Sequence, residues 1–222
     1  KSMLKDAAIL FAITLCAGLV LGFVFNITKE PIAIAEEKAA QEAYKEVFPD
    51  AAAFAKIELA VPEDAEYGAS WAAAGYESVE IGQVLWAKDT SGTVLGYVIT
   101  VTTHAGYGGD ITFTMGIRQD GTVNGISILS ISETAGLGMK AEEVLKPQFA
   151  NKQVAQFAYT KSGATMDSEI DAISGATITT DAVVTAVNGG LYYFQTQLGG
   201  SANETKLDAT KFMTERQEIF SD

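Results

Sequence analysis

The stretch ITFTMGIRQDGTVNGISILSI, residues 111–131, sets two runs rich in β-branched residues, Ile111–Arg118 and Thr122–Ile131, on either side of Asp120-Gly121. An Asp-Gly pair between such runs is a strong hairpin signal, because glycine supplies the positive φ that a tight turn between antiparallel strands requires. Two further strand candidates precede it, Gln83–Lys88 and Val94–Thr103, joined through Asp89-Thr90-Ser91-Gly92. The glycine-rich turn Gly106-Tyr107-Gly108-Gly109 then leads into Ile111. Val94, Ile99 and Val101, with Tyr97 among them, favour a sheet buried on at least one face.

Helical patterns come after the strands. Ala141–Leu145 reads as a short helix ended by Pro147. A long helix is expected over Thr179–Leu198, with apolar residues at Val183, Val187, Leu191, Phe194 and Leu198 and with Thr179 or Thr180 as its cap. Gly189-Gly190 inside it costs helix stability and marks close packing. Ahead of the strands, Ala51 to Gly82 is alanine-rich and predicts mixed helix and loop, with breaks at Pro62 and Gly68. The sum is an α+β fold, an antiparallel sheet with packed helices, large enough for a core of its own.

Just before the long helix lies Asp171-Ala172-Ile173-Ser174-Gly175-Ala176-Thr177-Ile178-Thr179-Thr180. Hydroxyls beside glycine at a helix N-terminus form a place for a phosphate, because the first-turn N–H groups are unpaired and carry partial positive charge. A second Ser-Gly-Ala-Thr stands at Ser162–Thr165, so the tetrapeptide alone is not decisive. That copy has Tyr159 where the other has Asp171, and it runs into polar residues rather than a helix. Small-residue turns with a helix cap are the plainer reading of both copies.

Asp171 to Thr180 resembles the flavinylation motif, Asp-x-x-Ser-Gly-Ala-Thr, of the FMN-binding domain in the G subunit of Rnf complexes and in its relative, the C subunit of the Na+-translocating NADH:quinone reductase. Three other segments match in order: Gly106–Ile111 the family's glycine-rich turn, Asp120–Ile126 its central hairpin, and Glu133–Gly138 its Glu-Thr-Pro-Gly-Leu-Gly loop. Ala135 replaces the usual proline, which loosens that turn without touching a chemical group. The resemblance covers roughly residues 1–200.

It implies FMN joined through its phosphate to Thr177 by a phosphoester bond, installed by a separate Mg2+-dependent transferase that uses FAD. Asp171 would belong to what the transferase recognises, and Gly175 and Ala176 would leave room for it to reach the hydroxyl. Ser174, Thr179 and Thr180 are read as phosphate hydrogen-bond donors or helix caps. Glu133, Thr134, Gly136, Leu137 and Gly138 are the candidates for contact with the flavin ring or its tail, since glycines permit close backbone approach. Met139 and Lys140 extend that set.

Ala7 to Phe25 is a run of 19 uncharged residues, roughly 28 Å as a helix and near the thickness of a bilayer's hydrocarbon core. It reads as one transmembrane helix. A signal peptide is the alternative, with Ala33-Ile34-Ala35 of cleavage-site form, but the apolar run is longer than a typical signal core. The chain opens on Lys1 rather than methionine, so a few residues are expected to precede it. Ile32 to Val47, rich in Ala, Glu and Lys, suits a helical stalk stopped by Pro49. The expected organisation is residues 1–28 as cytoplasmic stub and transmembrane helix, 29–49 as stalk, 50–200 as FMN-binding domain, and 201–222 as a polar tail. Lysines flank both ends of the apolar run, so charge does not set its orientation. The resemblance implies the cell's inner (cytoplasmic) membrane, with the flavin domain on the outer face.

Composition narrows the function classes. The net formal charge of −13 argues against nucleic acid or an anionic membrane surface as partner of the domain. Cys16, the single cysteine, lies in the apolar run, which leaves no thiolate cluster for iron–sulfur or structural zinc. His104, the single histidine, is either a satisfied turn residue or a proton carrier or flavin contact. There is no Gly-x-Gly-x-x-Gly after a strand to make the chain a self-contained flavin reductase. The resemblance thus implies an electron-transfer subunit in a ferredoxin:NAD+ oxidoreductase complex that moves Na+ or H+, with other membrane subunits as partners. The C subunit of the quinone reductase and a non-redox anchored small-ligand module are the alternatives.

Overall fold

The computed structural model describes residues 2–57 and 65–199; the expected break at Pro62 and the tail 201–222 lie outside them. The chain opens with helix α1, Ser2–Val47, which carries Pro31 inside it without interruption. The helix is long and apolar enough to cross a membrane. It ends two residues before Pro49, whose ring disfavours helical geometry in the residue before it. The chain divides into two compact units between Glu42 and Ala43.

In the second unit, strands β1 (Ala53–Ile57), β2 (Val79–Lys88), β3 (Val94–Thr103), β4 (Ile111–Arg118) and β5 (Val123–Ile131) form a five-stranded antiparallel sheet in sequence order. Three strand boundaries fall within a residue of expectation. β2 begins four residues before the expected Gln83, because Gly82 sits at a register shift between Ile81 and Val84 rather than at a strand end. β1 lies in the alanine-rich stretch expected to be helix and loop, and its pairing with β2 overrides its weak strand propensity. Gly68 is not a break: it sits inside helix α2, Ala65–Ala73.

Helix α3 (Ala141–Val144) runs into a 3-10 turn at Lys146–Phe149, which accommodates Pro147 at its start instead of ending there. Two three-residue strands, β6 (Ala158–Thr160) and β7 (Glu169–Asp171), then pair parallel in a ribbon of their own. Helix α4, Thr177–Gln197, is the last of the described elements.

Direct strand partners share a sheet face, so the row Val84, Ile99, Met115, Ile126 and the row Ile81, Val101, Phe113, Ile128 point together. α4 covers that face. A Cβ on Gly190 would stand 2.2 Å from Met115 Sδ and 3.4 Å from Val101 Cγ2, so only glycine lets the helix approach this closely. The packing offsets the roughly 1 kcal/mol that a glycine costs inside a helix. On the opposite face, Leu85 pairs with Val98 and Val98 with Gly116, and a Cβ on Gly116 would meet Val47 O at 2.8 Å. Tyr44, Val47 and Phe48 are buried there. Glu46 secures this end, accepting from Ser127 Oγ and pairing with Lys146 Nζ at 2.7 Å. Burial pushes the Glu46 carboxyl up, but its bonds to Lys146 and Ser127 outweigh that and hold it below its ordinary value.

Candidate functional site

Three loops meet at one end of the sheet: the glycine turn between β3 and β4, the segment Glu133–Gly138 after β5, and the approach to α4. Glu133 joins the first two, accepting the Gly108 N–H at 3.2 Å. A Cβ on Gly106 would lie 2.8 Å from Glu133 Oε1. Gly138 joins the second and third: a Cβ there would stand 2.7 Å from both Glu133 Cβ and Thr179 Oγ1. Leu137 adds a contact, its Cδ2 lying 3.2 Å from where Gly175 would carry a Cβ.

The loop holds its shape without the proline. Leu137 and Met139 both donate to Thr134 O, at 3.1 and 3.3 Å, and Gly136 takes φ +78°. Backbone hydrogen bonds therefore close the turn that carries Ala135. Thr134 and Gly136 are exposed and Gly138 is buried. Lys140 is exposed.

At the head of α4, Ile173 to Ala176 forms a turn closed by Ala176 N–H to Ile173 O at 3.0 Å, with Gly175 at φ +78° in the position that demands it. The helix starts at Thr177, two residues earlier than expected, and its N-cap is Ala176, which has no side-chain capping bond. Neither Thr179 nor Thr180 is the cap. Thr180 Oγ1 instead donates to Ala176 O at 3.0 Å and accepts the Ile173 N–H at 3.1 Å, tying the turn to the helix from inside. Thr179 is buried against Gly138. Ser174 and Gly175 are exposed and Thr177 is half-buried, so these three remain accessible at the helix N-terminus. Leu137, which reaches Gly175, is exposed, as are Tyr107 in the glycine turn, Met139 just after the second loop and Ile178 in the first turn of α4.

Asp171 closes the strand before this turn, and its carboxylate is used within the chain: Oδ1 accepts the Ala164 N–H at 2.6 Å. The two Ser-Gly-Ala-Thr copies are thus neighbours in space, a proximity with no signal in the sequence. Gln148, which sequence reasoning also missed, donates to Asp171 O at 3.1 Å and accepts the Asp171 N–H at 2.7 Å. His104 sits at the foot of the glycine turn with Nδ1 2.9 Å from Asp110 and Nε2 3.5 Å from Glu80. The bond to Asp110 and that residue's charge, with help from Glu80, hold the imidazole above its ordinary value of 6.5.

A cleft of about 600 Å³, lined among others by Arg118, Asn124 and Asn151, opens at the far ends of β4 and β5, away from the three loops. It contains none of the expected residues.

Residues 106–192 match the FMN-binding domain family, a span that opens on the glycine turn and holds all three loops. Residues 1–47 match the RnfG N-terminal region. The G subunit of the Na+-translocating ferredoxin:NAD+ oxidoreductase complex of Acetobacterium woodii is 34% identical over 88% of this chain and 93% of its own length. The G subunit of the ion-translocating oxidoreductase complex of Methanosarcina acetivorans is 31% identical over 90% of this chain and 98% of its own. NqrC of Shewanella oneidensis, a solved structure, is 24% identical over 51% of this chain and 58% of its own, with a TM-score of 0.44. Matched nearly end to end by these two G-subunit relatives, the chain belongs to the G-subunit family of ion-translocating oxidoreductase complexes.

Proposed function

We propose that this chain is a membrane-anchored electron carrier that holds FMN as a phosphoester on Thr177 and serves an Rnf-type complex coupling ferredoxin:NAD+ electron transfer to ion movement. The observation that carries the reading is the convergence of three loops around an accessible threonine at an uncapped helix N-terminus, inside the span that matches the FMN-binding domain family.

The residues fit the group. The Thr177 hydroxyl lies in the first turn of α4, where unpaired N–H groups stabilise a phosphoryl oxygen. Ser174 adds an exposed hydroxyl beside it. Gly138, buried with no space for a Cβ, keeps Glu133 and Thr179 at close quarters. Leu137, exposed beside Gly175, offers an apolar side chain against which a flat ring system can lie. FMN supplies the redox chemistry itself, and the protein supplies attachment and orientation. A covalent bond keeps a carrier that faces dilute surroundings from losing its cofactor between turnovers.

Helix α1 anchors the chain in the cytoplasmic membrane with the flavin domain on the outer face, beside the complex's other membrane subunits. An FAD-dependent flavin transferase matures it. Intact mass and peptide mapping after co-expression with such a transferase test the reading: an FMN-sized adduct on the Thr177 peptide, lost in Thr177→Ala, is expected. An unmodified chain beside an active transferase would replace it with a non-redox binding module.

A further inference from the structure

Strand β7 is three residues long and, among the described residues, pairs with a strand, β6, along one edge only. Its last residue, Asp171, would otherwise present an N–H and a C=O to no strand on the other side. Gln148 fills that gap. A side-chain amide carries the same donor and acceptor as a peptide group, and Gln148 makes both bonds to Asp171, the pattern of a hydrogen-bonded antiparallel pair. Its Nε2 also donates to Val144 O at 2.7 Å. Leu145 and Phe149, on either side of it in sequence, are fully buried and fix the backbone from which it projects.

We infer that Gln148 is a positioning residue for the modification of Thr177, pinning the leading end of the acceptor segment while Thr180 pins the trailing end. The inference rests on the reading of Thr177 as acceptor. Between the two pins, Ser174 and Gly175 stay exposed, so the segment is fixed at both ends and open to another enzyme in the middle. In the transfer, Thr177 Oγ bonds to the FMN-side phosphorus of FAD as the pyrophosphate P–O bond breaks. AMP departs and the hydroxyl proton passes to a base of the transferase or to solvent. Such a displacement needs the oxygen in line with the breaking bond, and a loose segment presents that geometry only part of the time. Gln148 raises the fraction of chains that present it.

The consequence is a split between kinetic constants. Losing the pin lowers the competent fraction before binding, which raises the apparent KM for the chain, while the bound complex reacts as before. The test uses the full chain in detergent with purified transferase, FAD and Mg2+, following the adduct by intact mass at several chain concentrations. Gln148→Leu is expected to raise KM about tenfold, the scale of two lost hydrogen bonds, with kcat within about twofold. Gln148→Glu keeps the acceptor for the Asp171 N–H but loses the donors, and is expected to fall between. An unchanged KM in Gln148→Leu, or a loss confined to kcat, overturns the inference. If the wild-type chain takes no adduct on Thr177, the acceptor reading fails first. Amide exchange on the wild-type chain keeps the idea exposed even if the variants unfold: Asp171 N–H is expected to be protected while Gly175 N–H exchanges freely, and equal rates would sink it.

Discussion

The two copies of Ser-Gly-Ala-Thr invite comparison because they start from paired positions. Thr160 and Asp171 are partners at the ends of β6 and β7, and each leads into a copy whose glycine takes positive φ, +98° at Gly163 and +78° at Gly175. The residues beyond each turn separate them. After the first, the Thr165 hydroxyl and N–H both go to the Glu169 carboxylate, at 2.9 and 2.7 Å. After the second, the chain enters α4, and among the described residues no carboxylate takes the Thr177 hydroxyl, although Asp181 stands at the same four-residue spacing. One tetrapeptide thus gives a closed loop and an available nucleophile. The difference lies in the next few residues: Met166-Asp167-Ser168-Glu169 folds back, whereas Ile178-Thr179-Thr180-Asp181 continues as helix.

The sharpest way to break this comparison is to remove each terminal hydroxyl in turn. Thr177→Ala is expected to abolish the FMN adduct, and Thr165→Ala to leave it intact, both read by intact mass. An adduct that survives Thr177→Ala and maps to Thr165 would reverse the assignment.

A smaller effect separates the hydroxyls that brace the turns. Thr180 Oγ1 accepts a buried N–H from Ile173, while Thr160 Oγ1 accepts an exposed one from Ser162 at 3.2 Å. Thr180→Val keeps the volume but strands the Ile173 N–H away from water, for about 2 kcal/mol lost. Thr160→Val leaves Ser162 free to bond solvent and should cost no more than about 0.5 kcal/mol. Denaturant unfolding measures both, and equal losses would mean that the acceptor turn is as solvated as its twin.

The glycines sharpen the comparison further. Alanine at either position meets the left-handed penalty of roughly 1–2 kcal/mol. At Gly163 nothing lies within 4 Å of the new Cβ, but at Gly175 Leu137 Cδ2 stands at 3.2 Å. Gly175→Ala should therefore push the exposed Leu137 side chain aside and shift its methyl resonances, which Gly163→Ala should leave unchanged.

Much of this was legible in the chain. The hairpin at Asp120-Gly121 and three strands could be read because β-branched runs sat between strong turn signals. The ordered motifs marked all three loops. β1 escaped because alanine carries no period, and β6 and β7 because three residues are too few to show one. The start of α4 was misread because threonines favour caps, yet Thr180 uses its hydroxyl one turn inside the helix. Gln148 could not have been found: it is 23 residues from the backbone it holds, and nothing in its own neighbourhood announces a partner.

The last distinction is in pH. The first turn is braced by an ionisable group, for Glu169 accepts from Thr165 twice and from the Met166 N–H at 3.3 Å. The backbone and hydroxyl bonds of Thr165 hold its carboxyl below the ordinary value of 4.5. A depressed acid stabilises the fold above its unfolded value and loses that contribution as pH falls through the folded one. The brace should therefore persist at pH 4.5 and release only below it. Asp171, which accepts from Ala164, and the Lys152–Asp167 pair border the same turn. The acceptor turn is held by the Thr180 hydroxyl and the Gln148 amide, neither of which titrates in this range. In an NMR titration the Thr165 amide should move with a midpoint under 4.5 while the Ile173 amide stays flat. A Thr165 midpoint at or above that value would mean that Glu169 does not brace the turn, and the contrast between a closed copy and an open one would lose its cause.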